Sequence, residues 1–247
     1  MSNWDWQVFC KDTIEQQEIA GCFGKGGDIT YLDWLLSAWG WTLTVSALAL
    51  VLALLVGVCI GVMRTLPHKG LALFGEAWTE LFRNIPVLVQ VFLWYFVVPE
   101  FVPVFKQLPP FVLVAFGLGF FTSARISEQV RAGIQSLPKG QRYAGLAMGL
   151  TLPQTYRYVL LPVALRVVIP PLTSEAMGIV KNSAVAFAVS ITEMIMFARQ
   201  ASEETSKGIE IYLAVTLLYF VSSLAVFALA RFIETQVRVP GFLGAKQ

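Results

Sequence analysis

Glu175, Gly178 and Asn182 recur at three- and four-residue spacing inside an otherwise apolar stretch, so on a helix they share one face while Lys181 points elsewhere. Arg83, Gln90, Thr122 and Ser123 are further polar side chains set among apolar neighbours. A carboxylate accepts from a cationic group, and the lysine, arginine, amide and hydroxyls donate to an anionic one. That is the chemistry of holding a charged solute, and ionisable groups in such surroundings mark solute paths. Bond-making chemistry has no comparable support. The one histidine, His68, lies beside Pro67 and Lys69 with no metal-ligating cluster and no Ser/His/Asp or Cys/His set around it. No lysine is followed by Ser or Thr, so the phosphate-cradling Gly-x4-Gly-Lys-Ser/Thr loop does not occur.

The elements that must position these residues are membrane spans. The 247-residue chain is 56% hydrophobic and only 14% charged, with a mean hydropathy of +0.67. Soluble domains are about a quarter charged, so much of this surface must face lipid. A cytosolic enzyme, a nucleic-acid binder and a secreted disulfide scaffold are excluded together. Stretches between consecutive charges give five candidate spans. Trp34 to Met63 holds thirty uncharged residues, enough for one tilted helix and too few for two. Asn84 to Pro99 holds sixteen and must borrow the turns from Glu76 to Phe82, with Arg83 at an interface. Gln107 to Ala124 holds eighteen and opens at Pro109-Pro110, a helix start. The stretch from Arg166 to Glu193 carries Pro170-Pro171, Glu175 and Lys181, so it must face protein or water. Ile211 to Ala230 is a plain span. The expected architecture is all-α and polytopic, with spans near 34–63, 78–99, 107–126, 164–192 and 210–231.

Twelve of the eighteen basic residues fall on one side of these spans, which places that side in the cytoplasm and the N-terminus outside. The tally includes Arg238 and Lys246 in a cytoplasmic tail, 233–247. Segment 1–33 carries two lysines against six carboxylates, a net −4, and lacks the basic and short apolar regions of a cleavable signal. Cys10 and Cys22 share this outer segment, either as free thiols or as a pair, whereas Cys59 reads as a small buried hydrophobe. Gly57 and Gly61 allow close helix approach, Thr42, Thr44 and Ser46 bond their own helix, and Trp34, Trp39 and Trp41 form an outer aromatic belt.

One long polar stretch, 125 to 166, lies on the cytoplasmic side. Ser127 to Gln135 continues the third span, with Glu128 in reach of Arg125 and Arg131, and Pro138 and Gly140 end it. Gln141 to Met148 is a short helix stopped by Gly149. Thr151-Leu152-Pro153-Gln154 then reads as a capping box opening a second helix that runs to Leu161 and closes at Pro162. A helix, glycine hinge, helix unit on the membrane face suits docking to another protein.

Ala144, Gly149, Val159 and Leu161-Pro162 match, residue by residue in spacing, the Glu-Ala-Ala loop of binding-protein-dependent ABC importer permeases. Tyr143 stands where that family has Glu, and Gly145 where it has the second Ala. The resemblance extends through Phe82-Arg83-Asn84-Ile85-Pro86, Glu128 to Gln141 and Arg166 to Ser183, covering roughly residues 35 to 240. Within the polar amino-acid branch, the histidine/glutamate permease family, Glu128-Gln129-Val130-Arg131 and Met148 to Gln154 look most like permeases of glutamate/aspartate importers.

The resemblance implies a type I importer transmembrane domain over 34–232, with a coupling loop at 137–162. It also implies a second permease subunit, two cytoplasmic ATPases that hold ATP and magnesium, and a periplasmic solute-binding protein in the bacterial inner membrane. Tyr143, Ala144, Gly145, Gly149, Leu150, Thr151, Tyr156, Leu161 and Pro162 would meet the ATPase, and no cofactor belongs to this chain itself. An amino-acid substrate would offer its ammonium to Glu175 and its carboxylates to Lys181, Arg83 or the neutral Gln90, Thr122, Ser123 and Asn182. Two other uses of these residues stand beside that one: Glu175 pairs with a basic side chain, and Asn182 ties helices together. Competing functions are an ABC permease for other or a broad range of polar amino acids, an ion-coupled secondary transporter, suggested by the charged fourth span, and a membrane-bound enzyme or assembly factor.

Overall fold

A computed structural model of the chain describes residues 4–25 and 28–237. Arg238 and Lys246, and the tail beyond position 237, lie outside the described residues.

Four helices are long and apolar enough to cross a bilayer: Tyr31–Met63, Pro110–Gln135, Leu152–Val189 and Gly208–Val237. A fifth crossing is made by a bent pair. Helix α1 (Tyr31–Met63) starts at a capping box in which Thr30 and Asp33 exchange bonds. Its packing against α5 (Pro110–Gln135) forms the spine of the molecule. Gly57 and Gly61 make that contact close: a Cβ at Gly57 would lie 2.8 Å from the Ser123 carbonyl, and one at Gly61 2.8 Å from that of Ser127. Thr42, Thr44 and Ser46 donate to carbonyls one turn back, as expected. Cys59 is exposed rather than buried, because it sits on the face of α1 turned away from α5.

The second crossing corrects the expected straight helix over 78–99. Helix α2 (Lys69–Asn84) and the segment Val87–Phe101 meet at 105° across Ile85-Pro86. Pro86 cannot donate to the ladder and pushes Ile85 into extended backbone, so the chain turns. The segment after the bend comprises α3 (Val87–Phe92), a π-turn and α4 (Val98–Phe101). Trp78, Phe82, Phe120, Trp94 and Phe116 pack ring on ring in the angle.

The fourth crossing differs too. After α6 (Lys139–Ala147) the chain enters α7 (Leu152–Thr155), a π-turn over Tyr156–Leu160, and α8 (Leu161–Asn182) without a break. Pro162 therefore opens α8 instead of closing a helix. The wide π-turn relieves the clash between the proline ring and the preceding turn that an α-helix would suffer. Pro170 and Pro171 lie inside α8 and do not interrupt it. At 1.5 Å per residue the run from Leu152 to Asn182 spans roughly 46 Å against about 30 Å of hydrocarbon. Its first turns thus stand outside the membrane.

A 3-10 stretch, Ser183–Val189, leads to an unexpected helix, α9 (Met194–Thr205), before α10 (Gly208–Val237). Two apolar cores result. The larger joins α1, α5 and α8, and the smaller gathers Tyr31, Leu35, Phe197, Ala201 and Ile211 at the outer ends of α1, α9 and α10. The N-terminal segment caps the smaller core. It is closed by a Cys10–Cys22 disulfide, and Asp5 ties to α10 through its amide, which donates to Glu210 at 2.9 Å. The Asp5 carboxylate lies 3.2 Å from Lys207, whose hydrogen bond holds it below the usual carboxylate range.

Candidate functional site

Within the membrane, α8 carries the charged residues. Glu175 is nearly buried, its side chain 10% exposed, and both its oxygens are engaged by α5: Arg125 Nε at 2.9 Å and Gln129 Nε2 at 2.9 Å. The pairing of Glu175 with a basic side chain of the same subunit, one of the two uses open from sequence, is the one observed. Arg125 is not used up by it, since 49% of its side chain remains exposed. The expected Arg125–Glu128 contact is accordingly replaced. Glu128 meets Arg131 at 3.5 Å as expected, and also gathers Arg64 at 2.9 Å and Arg83 at 3.5 Å.

Beside Glu175, an open stripe runs along α8 through Pro171, Ser174, Gly178 and Lys181, with nothing within 4 Å of where a Gly178 side chain would begin. Lys181 has no acidic partner among the described residues. It borders a groove of about 450 Å³ between α8 and α10, walled by Met177, Tyr219, Phe220, Leu224 and Phe227. An ammonium in apolar lipid is expensive, so this groove must be closed by protein or water. Asn182 is half-buried at the end of α8.

Most of the other candidates turn polar atoms toward the scaffold, although Gln90 Oε1 is buried without a hydrogen-bond partner among the described residues. Gln90 is fully buried and its Nε2 donates to the carbonyls of Phe82 and Ile85, satisfying backbone groups released at the 105° bend. Ser123 is fully buried, accepts from Trp78 Nε1 at 3.2 Å and donates to Phe120. Thr122 is also buried, and Arg83 pairs with Glu80 as well as Glu128. The structure therefore brings Arg125 to the α8 face in place of Arg83. Sequence reasoning placed Arg125 at the end of a span and in reach of Glu128, not beside Glu175, although charges at both ends of adjacent spans were visible signals.

Glu193 was read only as the end of the charged fourth span. It is fully buried, caps α9 by accepting from the amides of Ile195 and Met196, and accepts from Tyr219 Oη at 3.0 Å. The next residue, Met194, donates to Thr42 of α1 at 3.2 Å. This set joins three helices.

On the cytoplasmic side, α6 ends in a complete Schellman motif. Leu150 donates to Gly145 and Gly149 to Leu146, with Gly149 at φ +83°, a left-handed conformation that favours glycine. The capping box at Thr151 and Gln154 follows as expected. Gly145 is buried against Thr155, where a Cβ would meet Thr155 Cγ2 at 2.8 Å. Tyr156 is buried and donates to the Thr65 carbonyl at 2.7 Å, fixing the loop to the end of α1. Ala144, Thr151 and Pro162 are exposed, and Leu150 and Leu161 half-buried. Tyr143, Met148 and Tyr158 project at 65%, 83% and 63% exposure.

Crossing helices, a charged α8 face and a projecting helix-turn-helix define a multi-pass transport component. The chain belongs to the family of binding-protein-dependent transport system inner membrane components, whose pattern matches residues 49–239. It is 42% identical over 99% of both chains to the glutamate/aspartate import permease protein GltJ of Escherichia coli O6:H1. It is 32% identical to GltK of the same strain, a second glutamate/aspartate import permease protein, over 82% of this chain and 93% of GltK. A crystal structure of an amino acid ABC transporter with histidines superposes with a TM-score of 0.72 at 28% identity, covering 83% of this chain and 95% of that one. The all-α type I importer fold and the permease role expected from sequence are those observed.

Proposed function

We propose that this chain is one half of the permease pair of an ATP-driven inner-membrane importer for acidic amino acids. The observation that carries the substrate class is the charge balance of the α8 face. Arg125 and Lys181 are exposed cations, while the single carboxylate nearby, Glu175, is already engaged by Arg125 and Gln129. Arg166, also exposed on α8, adds to this surplus of positive charge, which suits an anionic solute. In this reading Arg125 and Lys181 draw the substrate carboxylates, and Glu175 with Asn182 borders the ammonium. The names of the two glutamate/aspartate relatives agree with that reading.

The match to GltJ extends over the whole chain and that to GltK does not, which favours a pair of two different permeases with this chain as the GltJ-like member. The exposed knob of Tyr143, Met148 and Tyr158 docks on a cytoplasmic ATPase that holds ATP and magnesium, and a periplasmic binding protein delivers the solute.

The test is purification of the tagged chain with its native neighbours, followed by proteoliposome uptake with competing amino acids. Copurification of a second permease and an ATPase is expected, with glutamate and aspartate competing best. In the same preparation, Arg125→Ala should raise the half-saturating concentration about 10- to 100-fold, the loss of one hydrogen bond to a charged group. Equal competition by lysine or histidine would overturn the acidic assignment. Uptake by the chain alone in an ion gradient would overturn the importer reading.

A further inference from the structure

Beneath the projecting knob lies a cavity of about 250 Å³, enclosed by the cytoplasmic end of α1, the end of α5, the start of α6 and the π-turn at Tyr156. Three cationic residues line it, Arg64, Lys139 and Arg142, and no carboxylate does. Arg64 is answered by Glu128 and Ser127. Lys139 and Arg142 form no ion pair among the described residues, and Arg142 Nε is buried without a hydrogen-bond partner. Tyr156, whose own proton goes to Thr65, closes the wall. A buried guanidinium nitrogen normally finds an acceptor, and none among the described residues bonds this one.

We infer that this cavity binds a phosphate group through Lys139 and Arg142. Its level fits that chemistry. Arg64, Thr65 and Gln135 end spans one and three on the cytoplasmic side, at the depth where lipid phosphates lie, and basic pockets between helices at that depth are suited to anionic headgroups. The position also has a consequence. The site touches both the membrane scaffold and the root of α6, so an occupant fixes the coupling helix to the membrane end of the spine. The inference does not depend on which solute is carried.

Two sources of the phosphate are separable by experiment. The complex, purified with its partner subunits, is released from phosphatidylglycerol-containing nanodiscs, and the lipids it retains are counted by native mass spectrometry. In a parallel arm the complex in phosphatidylcholine nanodiscs is titrated with inorganic phosphate while its melting temperature is followed. Each arm compares the unaltered chain with Arg142→Gln and with the exposed Lys139→Gln, which disturbs no packing. About fivefold weaker binding per cation removed is expected. Loss of retained phosphatidylglycerol in the variants identifies a lipid headgroup, and a phosphate-dependent melting shift lost in the variants identifies a free anion. Equal lipid retention and equal phosphate response across all three chains would overturn the site.

Discussion

The two ends of the molecule are built on opposite plans. The outer end is tied many times over: a disulfide closes the N-terminal segment, Tyr31 Oη donates to Glu204 at 2.9 Å, Asp5 binds both Glu210 and Lys207, and Glu193 joins α9 to α10. The inner end holds its helix-turn-helix by fewer anchors, the Tyr156–Thr65 bond and the Gly145–Thr155 contact. An end that only has to keep its shape satisfies its polar groups internally. The inner end instead keeps a left-handed glycine turn, Gly149, between two short helical segments.

The strongest test of this contrast is to cut the outer knot. Glu193→Ala removes a helix cap and strands the Tyr219 hydroxyl and two amides in a buried site. It should lower stability by about 3 kcal/mol or more, read as an earlier melting transition in detergent. An unchanged transition would show that α9 does not bear on the fold. Next in size is the disulfide. Converting both Cys10 and Cys22 to Ser should cost about 2–3 kcal/mol, confined to the N-terminal segment and read as protease nicking before Thr30 with the spans intact. Cooperative loss of the whole fold would mean that the cap is part of the core.

At the inner end the sign of the comparison reverses. Gly149→Val forces a β-branched residue to φ +83° at a position with no packing around it, a local cost of about 1–2 kcal/mol. The melting transition should stay within a few degrees of that of the unaltered chain, while ATP-driven uptake falls steeply. Normal uptake would show that the turn is not on the coupling route.

What was legible in the sequence follows the range of the interactions. Thr151, Gln154 and Gly149 act within a few residues of themselves, so the cap and the hinge could be read from spacing. The first span was legible because thirty uncharged residues leave one solution. The bend before α3 was not, since the carbonyls it frees are answered by Gln90, which in sequence looked like a ligand. Glu175 was open between two uses because its partner, Arg125, lies 50 positions away on another helix. Helix α9 was missed although Met194, Phe197, Ala198 and Ala201 repeat at three- and four-residue intervals, the signal of a buried helical face. Low hydropathy hid it from a search for membrane spans.

The smallest effect concerns Asp12, which sharpens the outer end further. Its carboxylate accepts from the amides of Glu15, Ile14 and Gln17, and these bonds, Glu15 first, hold it below the usual carboxylate range. The folded form therefore prefers the ionised group more than the unfolded chain does. Stability from this turn is present above the ordinary carboxylate range and is lost as pH falls through the lowered value, because protons then bind the unfolded form first. Asp12→Asn should flatten that acid limb in a proteolysis assay of the N-terminal segment between pH 7 and pH 3, with little change at pH 7. The inner knob, whose turn is held by a glycine and backbone bonds, should show no matching acid step when its own cleavage is followed in the same samples. An equal step at both ends would erase the distinction between a polar-tied cap and a backbone-tied hinge.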